Sequence, residues 1–270
     1  MRVAALQYDI AWMDKAANAA TVRRMLASAN LPRGDGFALL PEMFDTGFTM
    51  DAAEASRTDS LPAAQSIARE SGVWLQAGYA MANAGGGPPS NAAVILDPQG
   101  AVRATYRKMH LFSPGQEHAH YAAGDGVTVI DVPSDQGSWK VCPLVCYDLR
   151  FPEVWRLAAL AGAELFVIGA SWPAARAHHW HALLVARAIE NQAYVLACNR
   201  IGHDPACGYS GGSMIVAPSG EVIAHADDRE AALVAELDRD ALLKWRERFP
   251  ALRDTHRSLL GSVAVDPTRA

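Results

Sequence analysis

The feature that most constrains this chain is a short apolar strand that leads directly into a cysteine and then into a helix. Residues 140–145 have the composition of a buried strand, and the residues after Cys146, through Ala163, carry apolar side chains at helical spacing. Cys146 is therefore predicted at a strand-to-helix junction, which lifts its side chain off the carboxyl edge of a sheet. Backbone N–H groups at the start of such a helix face an anion. This position is typical of a nucleophile.

Two other predicted strands also end in chemically active side chains. The apolar run 37–40 stops at Pro41 and Glu42, and the strand-like run 101–106 is followed by Arg107 and Lys108. A carboxylate, an ammonium group and a thiol that converge at one sheet edge would form a covalent hydrolase.

The chemistry of a thiol nucleophile requires both partners. A free cysteine is only a few per cent thiolate near pH 7, so it needs a neighbouring base or cation. Glu42 is expected to take the thiol proton and later to pass it to the departing amine. Lys108 is expected to lower the thiol pKa and to stabilise the oxyanion, together with the backbone N–H of Tyr147.

Three separated blocks of the chain resemble the catalytic blocks of the nitrilase superfamily, also called carbon–nitrogen hydrolases. These blocks are Pro41-Glu42-Met43-Phe44, Tyr106-Arg107-Lys108-Met109-His110-Leu111-Phe112 and Cys146-Tyr147-Asp148-Leu149-Arg150-Phe151-Pro152-Glu153. The resemblance extends from residue 1 to about residue 250. It implies a Glu-Lys-Cys triad on an α/β fold, a four-layered αββα sandwich of two mixed sheets with helices on both outer faces.

Within that superfamily the sequence after Cys146 is similar to the omega-amidase branch. The resemblance implies an amidase that cleaves the terminal amide of 2-oxoglutaramate or 2-oxosuccinamate through a cysteine thioester and releases ammonia. True nitrilases usually place Trp and Glu after the nucleophile, so a nitrilase activity is disfavoured. The family pattern also implies a second catalytic glutamate, matched here by Glu117. Ser171 departs from that pattern, which more often has Asn before Trp-Pro.

Other functions remain as alternatives. The same superfamily includes deaminated-glutathione amidases and N-carbamoyl amino-acid hydrolases, which act on other small amides. A catalytically inactive scaffold that binds a partner is a third possibility. Labelling of Cys146 by a mild alkylating agent would separate the scaffold from the enzymes.

A 2-oxo monoamide needs a cationic clamp for its carboxylate. Arg150, Arg176 and Tyr147 are the candidates, because they lie near the predicted strand ends. Arg150 has an alternative role in an ion pair with Asp148 or Glu153. Arg176 is equally compatible with an exposed position in the first turn of a helix.

Phe44, Phe48 and Trp172 are candidates for the walls of the pocket, with simple core packing as the alternative. The histidine cluster at residues 178–181 offers no spaced carboxylate or cysteine to complete a metal site. No metal and no cofactor are therefore expected, because the proposed mechanism needs only side chains and water. A histidine base at His110 or His118 is the weaker alternative to Glu42.

Composition and charge exclude several other classes. The net charge of -5 and the pI of about 6.0 give no basic surface for nucleic acid. Apolar stretches are interrupted by charges, so neither a transmembrane helix nor a signal peptide is expected. Cys142 and Cys146 should lie about 13 Å apart on one strand, whereas a disulfide needs less than about 7 Å. The expected compartment is the cytosol, with Cys142 and Cys198 in the core and Cys207 in an exposed turn.

The chain is expected to form a single domain over residues 1–270, since no linker divides it. The family usually forms dimers or larger assemblies, which implies a homodimer or a higher homo-oligomer. The segment 242–270 is a candidate for a contact with a neighbouring subunit, although folding back on its own chain is equally compatible. The similar segments 93–102 and 213–222 predict two β-hairpins, although chance would also explain this weak internal similarity.

Overall fold

The computed structural model describes residues 1–259 and 264–265. The strands are β1 Arg2–Gln7, β2 Phe37–Leu39, β3 Trp74–Met81, β4 Ser90–Leu96, β5 Val102–Arg107, β6 Gly126–Val127, β7 Ile130–Ser134, β8 Gly137–Val145, β9 Leu165–Ala170, β10 Tyr194–Asn199, β11 Ile201–His203, β12 Gly208–Ser210, β13 Met214–Val216, β14 Val222–His225, β15 Ala231–Glu236 and β16 Ala264–Val265. The α-helices are α1 Lys15–Ala29, α2 Ala52–Arg57, α3 Leu61–Ser71, α4 Pro152–Leu160, α5 Ala177–Asn191 and α6 Arg239–Arg248. Short 3-10 turns cover Ser113–Gly115, Glu117–Ala119, Cys146–Arg150, Ala174–Arg176, Ala251–Asp254 and Arg257–Leu259.

Two six-stranded sheets share one pattern of strand directions. The first sheet has the order β15-β1-β2-β3-β4-β5, and the second has the order β14-β13-β10-β9-β8-β7. In each sheet three strands, β1-β2-β3 or β8-β9-β10, are parallel. One antiparallel strand pairs with them on one side, and an antiparallel hairpin continues the sheet on the other. The predicted mixed sheets are thus confirmed.

The two sheets face each other, and helices cover the outer face of each. Between the sheets lies an apolar layer that includes Phe37 and Ile95 from the first sheet and Trp139 and Val167 from the second. Helices α1 and α3 pack on the outer face of the first sheet, while α4 and α5 pack on the second. The predicted four-layered αββα arrangement is therefore confirmed.

The two predicted hairpins occupy corresponding places in the two sheets. β4 and β5 form the antiparallel hairpin at one end of the first sheet, and β13 and β14 form the matching hairpin of the second. Each contains an irregularity in its register, between Ile95 and Leu96 and between Ile215 and Val216 respectively. The two segments of similar sequence thus form equivalent hairpins in the two sheets.

The helix after Cys146 begins later than the sequence pattern predicts. A 3-10 turn covers Cys146–Arg150, Phe151 is extended with φ -112° and ψ 93°, and α4 starts at Pro152. The reason is local, because a residue that precedes proline is disfavoured in the helical region, whereas proline itself suits the first position of a helix. The strand therefore ends in a tight turn rather than directly in a helix.

The end of the described chain returns to its own protomer. Arg246 on α6 donates hydrogen bonds to the carbonyl oxygens of Gln192 and Ala163, and β16 pairs in parallel with β6. Of the predicted subunit-contacting segment, residues 260–263 and 266–270 lie outside the described residues. None of the helices in the described part of the chain has the length and apolar character needed to span a membrane.

Candidate active site

Glu42, Lys108 and Glu117, which the sequence predicts as catalytic residues, meet at the base of a cavity. Lys108 Nζ lies 2.7 Å from Glu42 Oε1 and 2.9 Å from Glu117 Oε2. All three side chains are buried, and Lys108 is 0% exposed. An ammonium group between two carboxylates in a water-excluded site is held by charge-assisted hydrogen bonds from both sides.

The contact between the two sheets positions Glu42. Glu42 follows β2, and its Oε2 accepts the backbone N–H of Ser171 at 3.0 Å, just beyond β9 of the other sheet. Gly169 on β9 makes this approach possible, because a Cβ atom there would lie 2.5 Å from the carbonyl oxygen of Leu40. At Ser171, where the family pattern more often has Asn, the contact to the Glu42 carboxylate therefore comes from the backbone.

Asn91 is part of this cluster and was missed by the sequence analysis. Its Nδ2 donates to Glu42 Oε1 at 2.7 Å and to Glu117 Oε1 at 2.7 Å. Its backbone carbonyl oxygen accepts the N–H of Lys108 at 2.9 Å. The sequence did contain a signal, a polar residue near the start of the otherwise apolar strand β4. A buried amide needs hydrogen-bond partners, so its presence there indicates polar groups nearby.

The turn that carries Cys146 holds its backbone in the left-handed region, with φ 45°. Asp148 stabilises this turn, because its carboxylate accepts the N–H of Val145 at 3.1 Å. The same carboxylate accepts the hydroxyl of Tyr106 at 2.7 Å and the N–H of His110 at 3.1 Å, and it lies 2.9 Å from His110 Nδ1. Asp148 thus ties the turn of the cysteine to the segment that carries Lys108.

Burial, rather than Lys108, decides the protonation of the thiol. Burial raises the pKa of Cys146 well above its usual value, the charge of Glu42 raises it further, and Lys108 opposes this only in part. Lys108 acts to lower the thiol pKa, as the sequence predicts, but burial and the charge of Glu42 set the net direction. Burial acts to lower the pKa of Lys108, but the charges of Glu117 and Glu42 outweigh it, so that this pKa is raised. The site thus holds a protonated thiol beside an ammonium group.

A cavity of about 610 Å³ opens over this base, and Cys146, Lys108 and Tyr147 line it. Arg150 and Trp172 also line it, with the guanidinium carbon of Arg150 4.6 Å from the centre of the Trp172 ring and 5.9 Å from that of Tyr147.

The guanidinium of Arg150 also lies near an exposed histidine, with its Nη2 3.3 Å from His179 Nδ1. Within the described residues Arg150 makes no ion pair with Asp148 or Glu153, the alternative that the sequence left open. Its guanidinium group therefore remains available to a ligand in the cavity.

The wall of the cavity also contains a second arginine and several rings. Arg176 is partly exposed, lines the cavity and lies with its guanidinium carbon 5.4 Å from the centre of the Phe112 ring. Phe48 lines the cavity as predicted, and Cys207, expected in an exposed turn, is half-buried and lines it as well.

The structure places Phe44 in the apolar core next to α1 rather than on the cavity wall. The preceding residue, Met43, adopts a left-handed conformation with φ 46°. The backbone N–H of Phe44 then donates to the carbonyl oxygen of Gly78 at 2.8 Å.

Comparisons with known proteins agree with this architecture. A family model described as carbon-nitrogen hydrolase matches residues 2–247. The chain is 40% identical over 258 residues to Omega-amidase YafV of Escherichia coli K12, covering 94% of this chain and 96% of that protein. It is 33% identical over 263 residues to 2-oxoglutaramate amidase of Bacillus subtilis 168, covering 95% of this chain and 98% of that protein.

Among solved structures, the chain is similar to XC1258 from Xanthomonas campestris, a CN-hydrolase superfamily protein with an arsenic adduct in its active site. The TM-score is 0.85 at 28% identity, and the match covers 98% of this chain and 99% of that one. The fold and the comparisons define an enzyme of the hydrolase class. The chain belongs to the carbon–nitrogen hydrolase family, which confirms the resemblance predicted from the three sequence blocks.

Proposed function

We propose that this protein is an omega-amidase, which hydrolyses the terminal amide of a small 2-oxo dicarboxylate monoamide such as 2-oxoglutaramate or 2-oxosuccinamate. The observation that carries the proposal is the geometry of the cavity, where a buried ammonium between two carboxylates and a cysteine thiol line the base and two arginines line the wall. The full-length similarity to an omega-amidase and a 2-oxoglutaramate amidase supports the choice of substrate.

The first half-reaction forms a thioester. Glu42 takes the proton of the Cys146 thiol as the sulfur attacks the amide carbon, because the raised thiol pKa leaves little thiolate in the resting enzyme. The ammonium of Lys108 and the backbone N–H of Tyr147 stabilise the oxyanion. Glu42 then gives its proton to the amide nitrogen, the C–N bond breaks, and ammonia leaves.

The second half-reaction releases the acid. Glu42 takes a proton from a water molecule, and the resulting hydroxide attacks the thioester carbon. Collapse of this second intermediate breaks the C–S bond, and the proton held by Glu42 returns to the sulfur. Glu117 holds Lys108 in place throughout, because its carboxylate contacts Nζ at 2.9 Å in addition to the contact from Glu42.

The arginines are assigned to the end of the substrate that does not react. Arg150 binds the substrate carboxylate, because stacking on Trp172 fixes its guanidinium group at the cavity wall. Arg176, which also lines the cavity, is assigned to the 2-oxo group. Trp172 and Phe48 supply the apolar sides.

A second candidate activity follows from the size of the cavity. The volume of about 610 Å³ exceeds what a small 2-oxo monoamide fills, so a longer linear amide such as deaminated glutathione also fits. A deaminated glutathione amidase of Mus musculus is 33% identical over 248 residues, with 85% of this chain and 76% of that protein covered.

The same proposal includes the organisation of the enzyme. Residues 1–270 act as one domain, and the protein works as a homodimer or a higher homo-oligomer in the cytosol. The family membership and the sequence-based expectations support this part. The mass of the native protein, measured by light scattering, tests the assembly.

The test of the activity is ammonia release by the purified protein. We expect the specificity constant kcat/KM for 2-oxoglutaramate to exceed those for deaminated glutathione and for an N-carbamoyl amino acid, and Cys146→Ala to abolish turnover. Undiminished turnover in Cys146→Ala would refute the nucleophile. A higher specificity constant for one of the other amides would refute the substrate assignment while leaving the nucleophile in place.

A further inference from the structure

Asn91 contacts each of the three charged residues at the base of the cavity. Its Nδ2 lies 2.7 Å from Glu42 Oε1 and 2.7 Å from Glu117 Oε1. Its carbonyl oxygen accepts the N–H of Lys108 at 2.9 Å. The side chain is 0% exposed, so water does not compete for these bonds. A single residue of β4 thus joins segments that are distant in the sequence.

The two glutamates determine which way the amide of Asn91 points. A primary amide carries two N–H donors on one nitrogen, and here one reaches each carboxylate. The opposite orientation would place Oδ1 against two carboxylate oxygens, which is repulsive. In the described structure Oδ1 itself has no hydrogen-bond partner. A buried unpaired oxygen costs free energy, so the amide is retained at this position for its donors rather than for packing.

The charges of the cluster explain what the two donors do. Two carboxylates that share a buried site favour the uptake of a proton by one of them. Lys108 supplies one positive charge for Glu42 and Glu117 together, which leaves an excess of negative charge. The Asn91 donors stabilise that excess without adding a cation that would compete with Lys108 for the oxyanion.

We propose that Asn91 is a positioning residue that holds the carboxylates of Glu42 and Glu117 aligned on Lys108, so that Glu42 stays in place as the base. This proposal rests on the catalytic roles proposed above for Glu42 and Lys108. Asn91 does not contact the cavity, so its effect falls on the chemical step rather than on substrate binding.

The variant Asn91→Ala tests the proposal, because it removes the amide and keeps the backbone carbonyl that binds Lys108. We expect kcat to fall by about 10- to 100-fold, which is the loss typical of a hydrogen bond to a charged group. KM should change by less than about threefold. The acidic limb of the kcat/KM profile should move to higher pH, since a carboxylate that loses a donor binds a proton more readily.

A matched control separates positioning from stability. Asn191 is also 0% exposed, its Nδ2 donates to the carbonyl oxygen of Arg187 at 3.0 Å, and its Oδ1 also lacks a partner in the described structure. Asn191→Ala should lower Tm but leave kcat per folded molecule and the acidic limb unchanged. An unchanged kcat and acidic limb in Asn91→Ala, or the same changes in both variants, would overturn the proposal.

A second measurement separates this proposal from the choice of substrate. The rate at which iodoacetamide alkylates Cys146 can be followed by mass spectrometry across pH without any substrate. We expect the acidic limb of that rate to move to higher pH in Asn91→Ala. If it moves while the wild-type protein leaves 2-oxoglutaramate intact, the substrate assignment fails and the role of Asn91 stands. If the wild type hydrolyses that amide and the limb does not move, the role of Asn91 is refuted.

Discussion

The two sheets share one strand pattern but contribute different chemistry to the cavity. The first sheet places Glu42 after β2 and Lys108 after β5, and both side chains are fully buried. The second sheet places Cys146 after β8, followed by Arg150 in the turn and by Arg176 beyond β9, and both arginines are partly exposed. The same topology thus supplies a buried charged cluster from one sheet and, from the other, the wall with the two arginines proposed to bind substrate.

The two sides also differ in how firmly their side chains are held. Lys108 is fixed by two buried carboxylates, whereas Arg150 is held by ring stacking and by a hydrogen-bond contact of 3.3 Å with His179. A stacked cation at a partly exposed site contributes on the order of 1 kcal/mol, much less than a buried ion pair costs when it is broken. We therefore expect changes on the first sheet to lower kcat for every amide. Changes at the wall should raise KM selectively for amides that carry a carboxylate.

The largest effect is expected for Lys108→Met. The change removes the cation proposed to stabilise the oxyanion, so kcat should fall by about a thousandfold for charged and uncharged amides alike. It also leaves two carboxylates buried without their cation, which should lower the free energy of unfolding by about 3–5 kcal/mol. Ammonia release and urea denaturation measure the two effects.

Lys140→Met, which removes a half-exposed lysine paired with Asp131, is the control and should change neither kcat nor the free energy of unfolding. A kcat within tenfold of the wild type in Lys108→Met would show that the charged cluster of the first sheet does not control the rate, and the contrast with the wall of the second sheet would fail.

The next effect concerns the link between the two sheets. Asp148 accepts donors from the turn of Cys146 and from Tyr106 and His110 on the Lys108 segment. The change Asp148→Asn replaces one acceptor oxygen with an NH2 group, which would face one of the present donors. We therefore expect the free energy of unfolding to fall by about 2–4 kcal/mol. The geometry between sulfur and ammonium should loosen as well, with kcat about tenfold lower at unchanged KM. Asp131→Asn, at an exposed position of the edge strand β7, is the control. A stability loss without any change in kcat would show that the two sheets hold their catalytic groups independently.

The parts of the site that follow directly from a strand could be predicted from the sequence. Glu42, Lys108 and Cys146 each come at or just after the end of a strand, and a run of neighbouring residues defines that position. Asn91 could not be predicted, because its role depends on meeting Glu42 and Glu117, which are 49 and 26 residues away. The distances between such groups are set by how the two sheets and their loops pack, which no local pattern records.

Two other differences have local causes that become visible only in three dimensions. Phe44 was expected on the cavity wall, but the left-handed turn at Met43 leads it into the core. The direction of the pKa shift of Cys146 depends first on burial, and the depth of a side chain at a strand end depends on what packs over it. Charge proximity, which the sequence could indicate, gives the direction of the Lys108 contribution correctly, but it does not give the net direction of the pKa shift.

A smaller and more selective effect is expected at the wall. Arg150→Met should raise KM for a carboxylated amide about 10- to 100-fold, because a charge-assisted hydrogen bond contributes about 1.5–3 kcal/mol. It should leave kcat and the KM of an uncharged amide such as propionamide within about twofold of the wild type. Arg103→Met, on the exposed side of β5, is the control. An equal rise of KM for both amides would mean that Arg150 shapes the cavity rather than reading a carboxylate.

The smallest effect concerns the histidine that holds Arg150. Arg150 Nη2 can donate to His179 Nδ1 only while the imidazole is neutral. The pKa of His179 is lowered, first by desolvation and then by the positive charges of His178, Arg150 and Arg176, so the ring stays neutral at physiological pH and is protonated only in more acidic solution. When acidification protonates the ring, the contact is lost and Arg150 becomes more mobile.

The ratio of KM for the carboxylated amide to KM for propionamide isolates this effect from the protonation of Glu42, which acts on both substrates. In the wild type we expect the ratio to rise about two- to threefold on acidification, the size of a weak exposed contact. In His179→Gln the side-chain oxygen still accepts from Arg150 but does not titrate, so the ratio should stay low and independent of pH. His118→Gln, an exposed histidine away from the cavity, should retain the pH dependence. A pH-dependent ratio that persists in His179→Gln would assign the titration to another group and would leave the stacking on Trp172 as the main support of Arg150.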